Sequence, residues 1–230
     1  MRFAGFPLIL HTIIYAIKMR KNVILTILLC VAGILTASGQ HTIESIRKDY
    51  QGVQEWISQM SDNFPTDGIP SEYYHLRVEQ NLPGTGPHHE DIRMYYGEEE
   101  SEDDPIYPPH YLRFARVKYN YAAREFYEEY LYDNKGEVMF IYAITPDVEG
   151  GGDVWPYELR MWFDGKRLLR FNAKKFEGPL EYIDIATLKK GSFKDEFTGG
   201  TIPKKYSSEA DRCKEGAQRY LTLFKGIDNR

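Results

Sequence analysis

Two aromatic-rich β-hairpin patterns constrain the fold of this chain more than any other feature of its sequence. In the first, residues 126–132 and 137–144 flank the turn Asp133-Asn134-Lys135-Gly136. The glycine fits the left-handed position of a type I turn with a bulge, and the resulting register predicts Tyr130 opposite Phe140. Both faces of this hairpin are largely apolar, so we expect it to lie centrally in a sheet, buried on both sides.

The second hairpin pattern places residues 157–163 and 167–173 around Asp164-Gly165-Lys166. A two-residue loop mixes polar and apolar side chains on each face, whereas one further loop residue gathers the apolar side chains on one face. Because register follows the apolar pattern, we predict the second arrangement, which sets Arg160 opposite Arg170.

Two amphipathic helices are predicted, one on each side of the strand region. In each, apolar residues recur at intervals of three and four, which places them on one face of a helix. The first set is Ile43, Ile46, Tyr50, Val53, Ile57 and Met60, and the second is Ala210, Cys213, Ala217, Tyr220 and Phe224. The order predicts an α+β fold: an antiparallel meander of hairpins covered by an N-terminal and a C-terminal helix, both on one face.

Residues 1–39 have the composition of an export signal. Basic Arg20 and Lys21 precede an apolar run, residues 23–35, and the small residues Ala37-Ser38-Gly39 follow it. Met19 stands where an initiator is expected, so we interpret residues 1–18 as an upstream extension. The alternatives are an uncleaved anchor and a hairpin of two apolar helices. We expect a single domain of residues 40–230, exported to the periplasm or cell exterior, with no membrane span.

Charge and cysteine content exclude several classes of protein. The leader holds 4 of the 29 basic residues and none of the 34 acidic ones, which leaves the mature chain at a net charge of −9. Such a chain lacks the clustered basic surface of a nucleic-acid-binding protein.

Cys30 leaves with the leader, so Cys213 has no disulfide partner, and its place on the apolar helix face predicts a buried, unreactive thiol.

The sequence contains no strong catalytic or cofactor motif, so we predict no cofactor. The nucleophile-elbow, phosphate-loop and dinucleotide-glycine patterns are all missing. His88-His89-Glu90 is the nearest approach to a zinc site, but Arg93 occupies the position where H-E-x-x-H needs its second histidine. The acidic runs 98–104 and 147–153 contain carboxylates of the kind that bind calcium, but neither has the spacing of an EF-hand. We interpret all three segments as solvated loops.

The second hairpin carries the candidate binding residues. Glu158, Arg160 and Arg170 are predicted to share one sheet face, where two guanidinium groups repel unless acids neutralise them or an anion bridges them. One interpretation is a salt-bridged surface in which Glu128 or Glu129 supplies the acid. The other is a floor that binds a carboxylate or a phosphate.

Aromatic residues near this face extend the candidate site. Trp155, Tyr157 and Trp162 are suited to line a groove for a glycan or peptide, although tyrosine is also common in half-buried strands. We therefore predict a non-catalytic binding module for a protein or glycan. The alternatives are a secreted hydrolase that uses carboxylates beside the arginines, and a structural protein of the envelope.

The second hairpin also resembles a pattern in uncharacterised secreted bacterial proteins. Its residues 158–171 read E-L-R-M-W-F-D-G-K-R-L-L-R-F, which fits E-x-R-x-aromatic-F, a Gly-Lys turn and a strand that ends in R-aromatic. The resemblance implies a secreted or periplasmic bacterial origin. It carries no known activity, so it assigns no functional residue.

Overall fold

The computed structural model describes residues 41–63, 73–99, 108–122, 124–146, 156–177 and 185–228. These residues belong to one compact unit, His41–Arg230. The predicted leader, Trp155 and the acidic run 147–153 lie outside the described residues, as does most of the run 98–104.

Eight antiparallel strands follow one another in chain order across a single sheet. They are β1 Tyr73–Leu82, β2 Gly86–Glu98, β3 His110–Tyr121, β4 Arg124–Tyr132, β5 Val138–Thr145, β6 Tyr157–Asp164, β7 Arg167–Phe176 and β8 Phe193–Gly199. The helices are α1 Ile43–Asn63, the short α2 Ile185–Leu188 and α3 Ser207–Ile227. The predicted α+β class and antiparallel meander are confirmed.

The first hairpin forms the predicted turn but not the predicted register. Gly136 has a φ of +80°, and the Asp133 N–H donates to the Glu137 carbonyl at 2.9 Å. A bulge between Leu131 and Tyr132 then shifts the pairing, so that Tyr130 faces Ile141 rather than Phe140. The predicted Tyr130–Phe140 pair is therefore wrong by one residue.

The second hairpin uses the shorter loop together with a bulge. Asp164 pairs with Arg167 around a two-residue loop in which Gly165 has a φ of +57°. A register shift between Trp162 and Phe163 restores the apolar alternation further along, so that Met161 faces Phe171. The predicted pairing of the two arginines is consequently wrong: Asn172 lies opposite Arg160, and Trp162 lies opposite Arg170.

The two long helices pack against opposite faces of the sheet. Successive side chains of a strand point to opposite faces, and on β4 Leu131 joins the apolar cluster of α1 whereas Tyr130 joins that of α3. The Tyr50 ring of α1 lies 5.1 Å from the Phe140 ring, while the Tyr132 hydroxyl donates to the Ala217 carbonyl of α3 at 2.8 Å. The prediction that both helices lie on one face is wrong, because the central strands are apolar on both faces.

The beginning of α1 is held by its own cap and by the second hairpin. The Ser45 N–H donates to the Thr42 hydroxyl at 3.1 Å, and the Thr42 N–H donates to the Ser45 hydroxyl at 3.0 Å. This reciprocal pair satisfies donors that a helix start leaves free. The His41 N–H donates to the Asp164 carboxylate at 3.1 Å, which fixes the first turn of α1 beside the β6–β7 turn.

Candidate functional site

A continuous row of polar side chains crosses the α1 face of the sheet. Each member is the register partner of the next, so the row passes through all eight strands. Its members are His75, Arg93, Arg116, Glu129, Tyr142, Arg160, Asn172 and Thr198. The neighbouring row is aromatic and apolar from Tyr73 to Trp162, and α1 packs on that row.

A cleft of about 480 Å³ opens beside α1 over the middle of the polar row. We call it the α1 cleft. The sheet contributes Glu129, Phe140, Tyr142, Arg160 and Trp162, and the helical elements contribute Ile46, Arg47, Tyr50, Gln51 and Lys189. Its volume lies in the range that small-molecule sites occupy.

Glu129 is the only carboxylate among the described residues that line the α1 cleft, and its charge is already compensated. The side chain is 5% exposed. It accepts hydrogen bonds from the Tyr50 hydroxyl at 2.5 Å, from the Tyr127 hydroxyl, and from Arg116 Nε at 3.3 Å. Burial, together with the nearby Glu129 charge, raises the pKa of both tyrosines, so they remain hydrogen-bond donors. The carboxylate therefore has little capacity left for a ligand.

Three cations of the α1 cleft each lie against an aromatic ring, in the geometry of a cation–π contact. The pairs are Arg47 with Trp162 at 5.7 Å, Arg160 with Tyr142 at 5.6 Å, and Lys189 with Tyr127 at 3.4 Å, each measured to the ring centre. The aromatic rings thus hold the cations in place, although they do not neutralise them.

The cations are only partly matched by acids. Arg160 Nη2 lies 2.8 Å from Glu158 Oε1, and the Tyr142 hydroxyl donates to the other oxygen of Glu158 at 3.0 Å. The Arg160 Nε–H is buried and meets no acceptor in the described part of the chain. No described carboxylate lies within ion-pair distance of Arg47 or Lys189.

Lys189 titrates closer to neutrality than an ordinary lysine. Burial lowers its pKa to about 8, and Arg116 acts in the same direction while Glu129 opposes it. The α1 cleft therefore carries its full positive charge below that pH and loses one charge above it.

The structure brings together most of the predicted site residues. Arg160 and Trp162 line the α1 cleft, Glu158 holds Arg160, and Arg170 is the register partner of Trp162 on the same face. Tyr157 is different: it lies on the α3 face, where its ring packs 5.7 Å from that of Tyr206. Trp155 lies outside the described residues.

Arg47, Tyr50 and Lys189 were not expected in this site. Arg47 and Tyr50 are one turn apart at the edge of the apolar stripe of α1, which indicates that they flank the helix–sheet contact. Nothing local in the sequence indicates which strands they meet. Glu128 and Glu129 do not pair with Arg160 or Arg170, as one interpretation of the sequence expected. Arg212 pairs with Glu128, and Arg116 pairs with Glu129.

A second cleft, of about 380 Å³, lies at the β1–β4 end of the sheet. Residues of both charges line this cleft and pair with each other, as in Lys118 with Glu125 at 2.9 Å and Arg77 with Asp91 at 3.8 Å. Because these pairs satisfy its charges internally, this cleft is the weaker candidate for a binding site.

The histidine and cysteine candidates have structural partners. Glu90 accepts two hydrogen bonds from Arg219, both at 2.8 Å, and His88 Nδ1 lies 2.5 Å from the Asn120 carbonyl oxygen. The described residues contain no group of three or more His, Cys, Asp or Glu that is arranged to hold a metal ion. Cys213 is buried, and burial and the Glu128 charge raise its pKa, which keeps it a thiol.

The helices of the described residues are not membrane spans, since none is both long and apolar enough. Comparisons with known proteins give no relative: no family model matches the chain, and no curated protein or solved structure is significantly similar to it.

Proposed function

We propose that the domain is a non-catalytic binding module that holds an acidic ligand in the α1 cleft. One observation carries this proposal. Three cations line the cleft, and its one described carboxylate, Glu129, is already engaged by Arg116 and two phenols. An anion would supply the charge-assisted hydrogen bonds that Arg47 and Lys189 lack among the described residues, and an acceptor for the buried Arg160 Nε–H.

Binding is favoured over catalysis because neither nearby carboxylate is free to react. A general base needs an available lone pair close to the proton that it removes. Glu129 accepts three hydrogen bonds, and Glu158 is held by Tyr142 and Arg160. The hydrolase alternative therefore has no supporting observation.

The chemistry of the α1 cleft is suited to an acidic sugar or to a protein segment with an exposed carboxylate. Phe140 and Trp162 offer apolar surface, while the arginines offer planar donors for oxygen pairs.

Together with the leader pattern in residues 1–39, this ligand chemistry supports a role in the periplasm or at the cell surface. Sequencing the amino terminus of the purified protein tests the export proposal: Gln40 as first residue supports it, and Met1 or Met19 contradicts it.

Calorimetric titration tests the binding proposal. We expect glucuronate to bind and glucose, which has the same ring without the carboxylate, to bind at least tenfold more weakly. Arg160→Met should lower glucuronate affinity by tenfold or more, since a hydrogen bond to a charged group contributes about 1.5–3 kcal/mol. Arg77→Met is the matched control, because that arginine is 74% exposed and lies on β1. Equal affinities for the two sugars, or equal losses in the two variants, would contradict the proposal.

A further inference from the structure

We infer that the ligand of the α1 cleft carries two acidic groups, held at two separate cationic centres. This inference rests on the proposed function and adds the class of ligand: a compact dianion such as a dicarboxylic acid. It follows from how the cations are distributed over the sheet.

The first centre surrounds Trp162. The Arg47 guanidinium lies over this ring, and the register places Arg170 directly across from Trp162 on the same face. No described carboxylate pairs with either arginine. Arg47 at the Trp162 ring and Arg170 at the register position across from it lie on one face without a described acidic partner, and together they supply positive charge for one anionic group.

The second centre surrounds Tyr142. Arg160 lies over this ring. The centre of the Tyr142 ring is 6.2 Å from that of the Tyr127 ring, and Lys189 lies over the Tyr127 ring. Glu158 neutralises part of this centre, yet Lys189 and the buried Arg160 Nε–H are left without an acidic partner among the described residues. One further anionic group would complete it.

The backbone sets the distance between the two centres. Trp162 pairs with Phe140, and Arg160 pairs with Tyr142, so the Arg160 part of the second centre is offset from Trp162 by two residues along β5 and β6. Two residues of a strand span roughly 7 Å. A ligand with acidic groups at about this separation can engage both centres at once, and the second contact then forms at the high effective concentration of a linked group.

The experiment is a calorimetric titration of the purified protein with unbranched dicarboxylates of four to eight carbons and with the monocarboxylates of the same lengths. We expect the strongest binding for six or seven carbons, at least tenfold tighter than the matching monocarboxylate. A maximum at four or five carbons, or the same affinity at every length, would overturn the inference.

Variants separate the two centres. Arg47→Met combined with Arg170→Met should abolish the length preference and bring the dicarboxylates to monocarboxylate affinity, while monocarboxylate binding at the second centre changes less than twofold. Arg77→Met should leave the whole series unchanged. A length preference that survives in the double variant overturns the two-centre inference. If the acids bind without regard to length, that inference fails and the acidic-ligand proposal stands, whereas failure of every acid to bind, glucuronate included, overturns both.

Discussion

At the residue scale, each buried glutamate in the described part of the chain has an arginine partner. The pairs are Glu90 with Arg219, Glu128 with Arg212, Glu129 with Arg116, and Glu158 with Arg160. A buried carboxylate costs several kcal/mol unless it is paired and hydrogen-bonded. Adjacent Glu128 and Glu129 point to opposite faces of β4, so these two pairs lie on opposite faces of the sheet.

Loss of Arg116 should be more damaging than loss of its partner. Arg116→Met leaves the Glu129 charge buried without its cation, and we expect the free energy of unfolding to fall by about 3 kcal/mol. Denaturant titration measures this change. Combining Arg116→Met with Glu129→Gln should restore part of the loss, because the unpaired charge disappears. An Arg116→Met loss below about 1 kcal/mol would show that the pair contributes no more than a surface ion pair.

The lowered pKa of Lys189 predicts a pH dependence of ligand binding. Because this pKa is about 8, the ammonium is present at pH 7 and largely lost at pH 9. Affinity for an anion should therefore fall several-fold between these values, and calorimetry at both pH values measures the change. Lys189→Arg keeps the charge at both values, so its affinity should remain constant. An unaltered pH profile in that variant would exclude Lys189 as the titrating group.

At the scale of elements, α3 lies close to the sheet at a glycine, Gly216. A Cβ at Gly216 would overlap the Tyr130 hydroxyl, which donates a hydrogen bond to Glu128. Gly216→Ala must therefore displace the helix or the ring, and we expect a loss of about 1–3 kcal/mol in the free energy of unfolding.

Gly226 provides the matched control on the same helix. A Cβ there has no neighbour within 4 Å, so Gly226→Ala should raise stability by roughly 0.5 kcal/mol through the better helix propensity of alanine. Thermal or denaturant unfolding of both variants compares the two. Destabilisation of equal size in both would show that helix geometry, and not contact with Tyr130, sets the cost.

The helices and hairpins were predictable because their signals are local. Apolar spacing indicated α1 and α3, and turn residues indicated both hairpins. The registers were missed because bulges next to Tyr132 and Phe163 shift the pairing, and a bulge leaves no clear mark in the alternation of apolar and polar residues.

The α1 cleft was predictable only in part, because local signals do not show which distant elements meet. Arg160 and Trp162 stood out beside their turn, whereas Arg47 and Lys189 reach the cleft only through tertiary packing.

At the scale of the whole molecule, folding concentrates positive charge in one cleft of a chain whose net charge is negative. The chain has a net charge of −5, yet the α1 cleft gathers cations from α1, β6 and the segment after α2. A local excess of positive side chains in a chain of negative net charge is the arrangement expected for selective attraction of an anion at short range. Because screening lengths shrink to about 3 Å at 1 M salt, an anionic ligand should bind more weakly there.

Cys213 reports on the integrity of the whole domain. It lies on α3 and is fully buried between that helix and the sheet, and its raised pKa disfavours the thiolate that alkylating reagents need. We expect iodoacetamide to leave Cys213 unmodified in the native protein and to modify it completely in denaturant, as measured by mass spectrometry of the peptide that contains it. Rapid native alkylation would show that α3 separates from the sheet without global unfolding.

The meander order has a consequence for how the domain forms. Each strand pairs with its predecessor in the chain, so the sheet has few distant contacts to close, which favours rapid folding. A chain emerging from its amino terminus can add one strand at a time to a growing edge. α1 is made first but must wait for β2–β6 to acquire its partner surface. The basic cleft therefore comes into existence only after the segment that bears Lys189 has arrived.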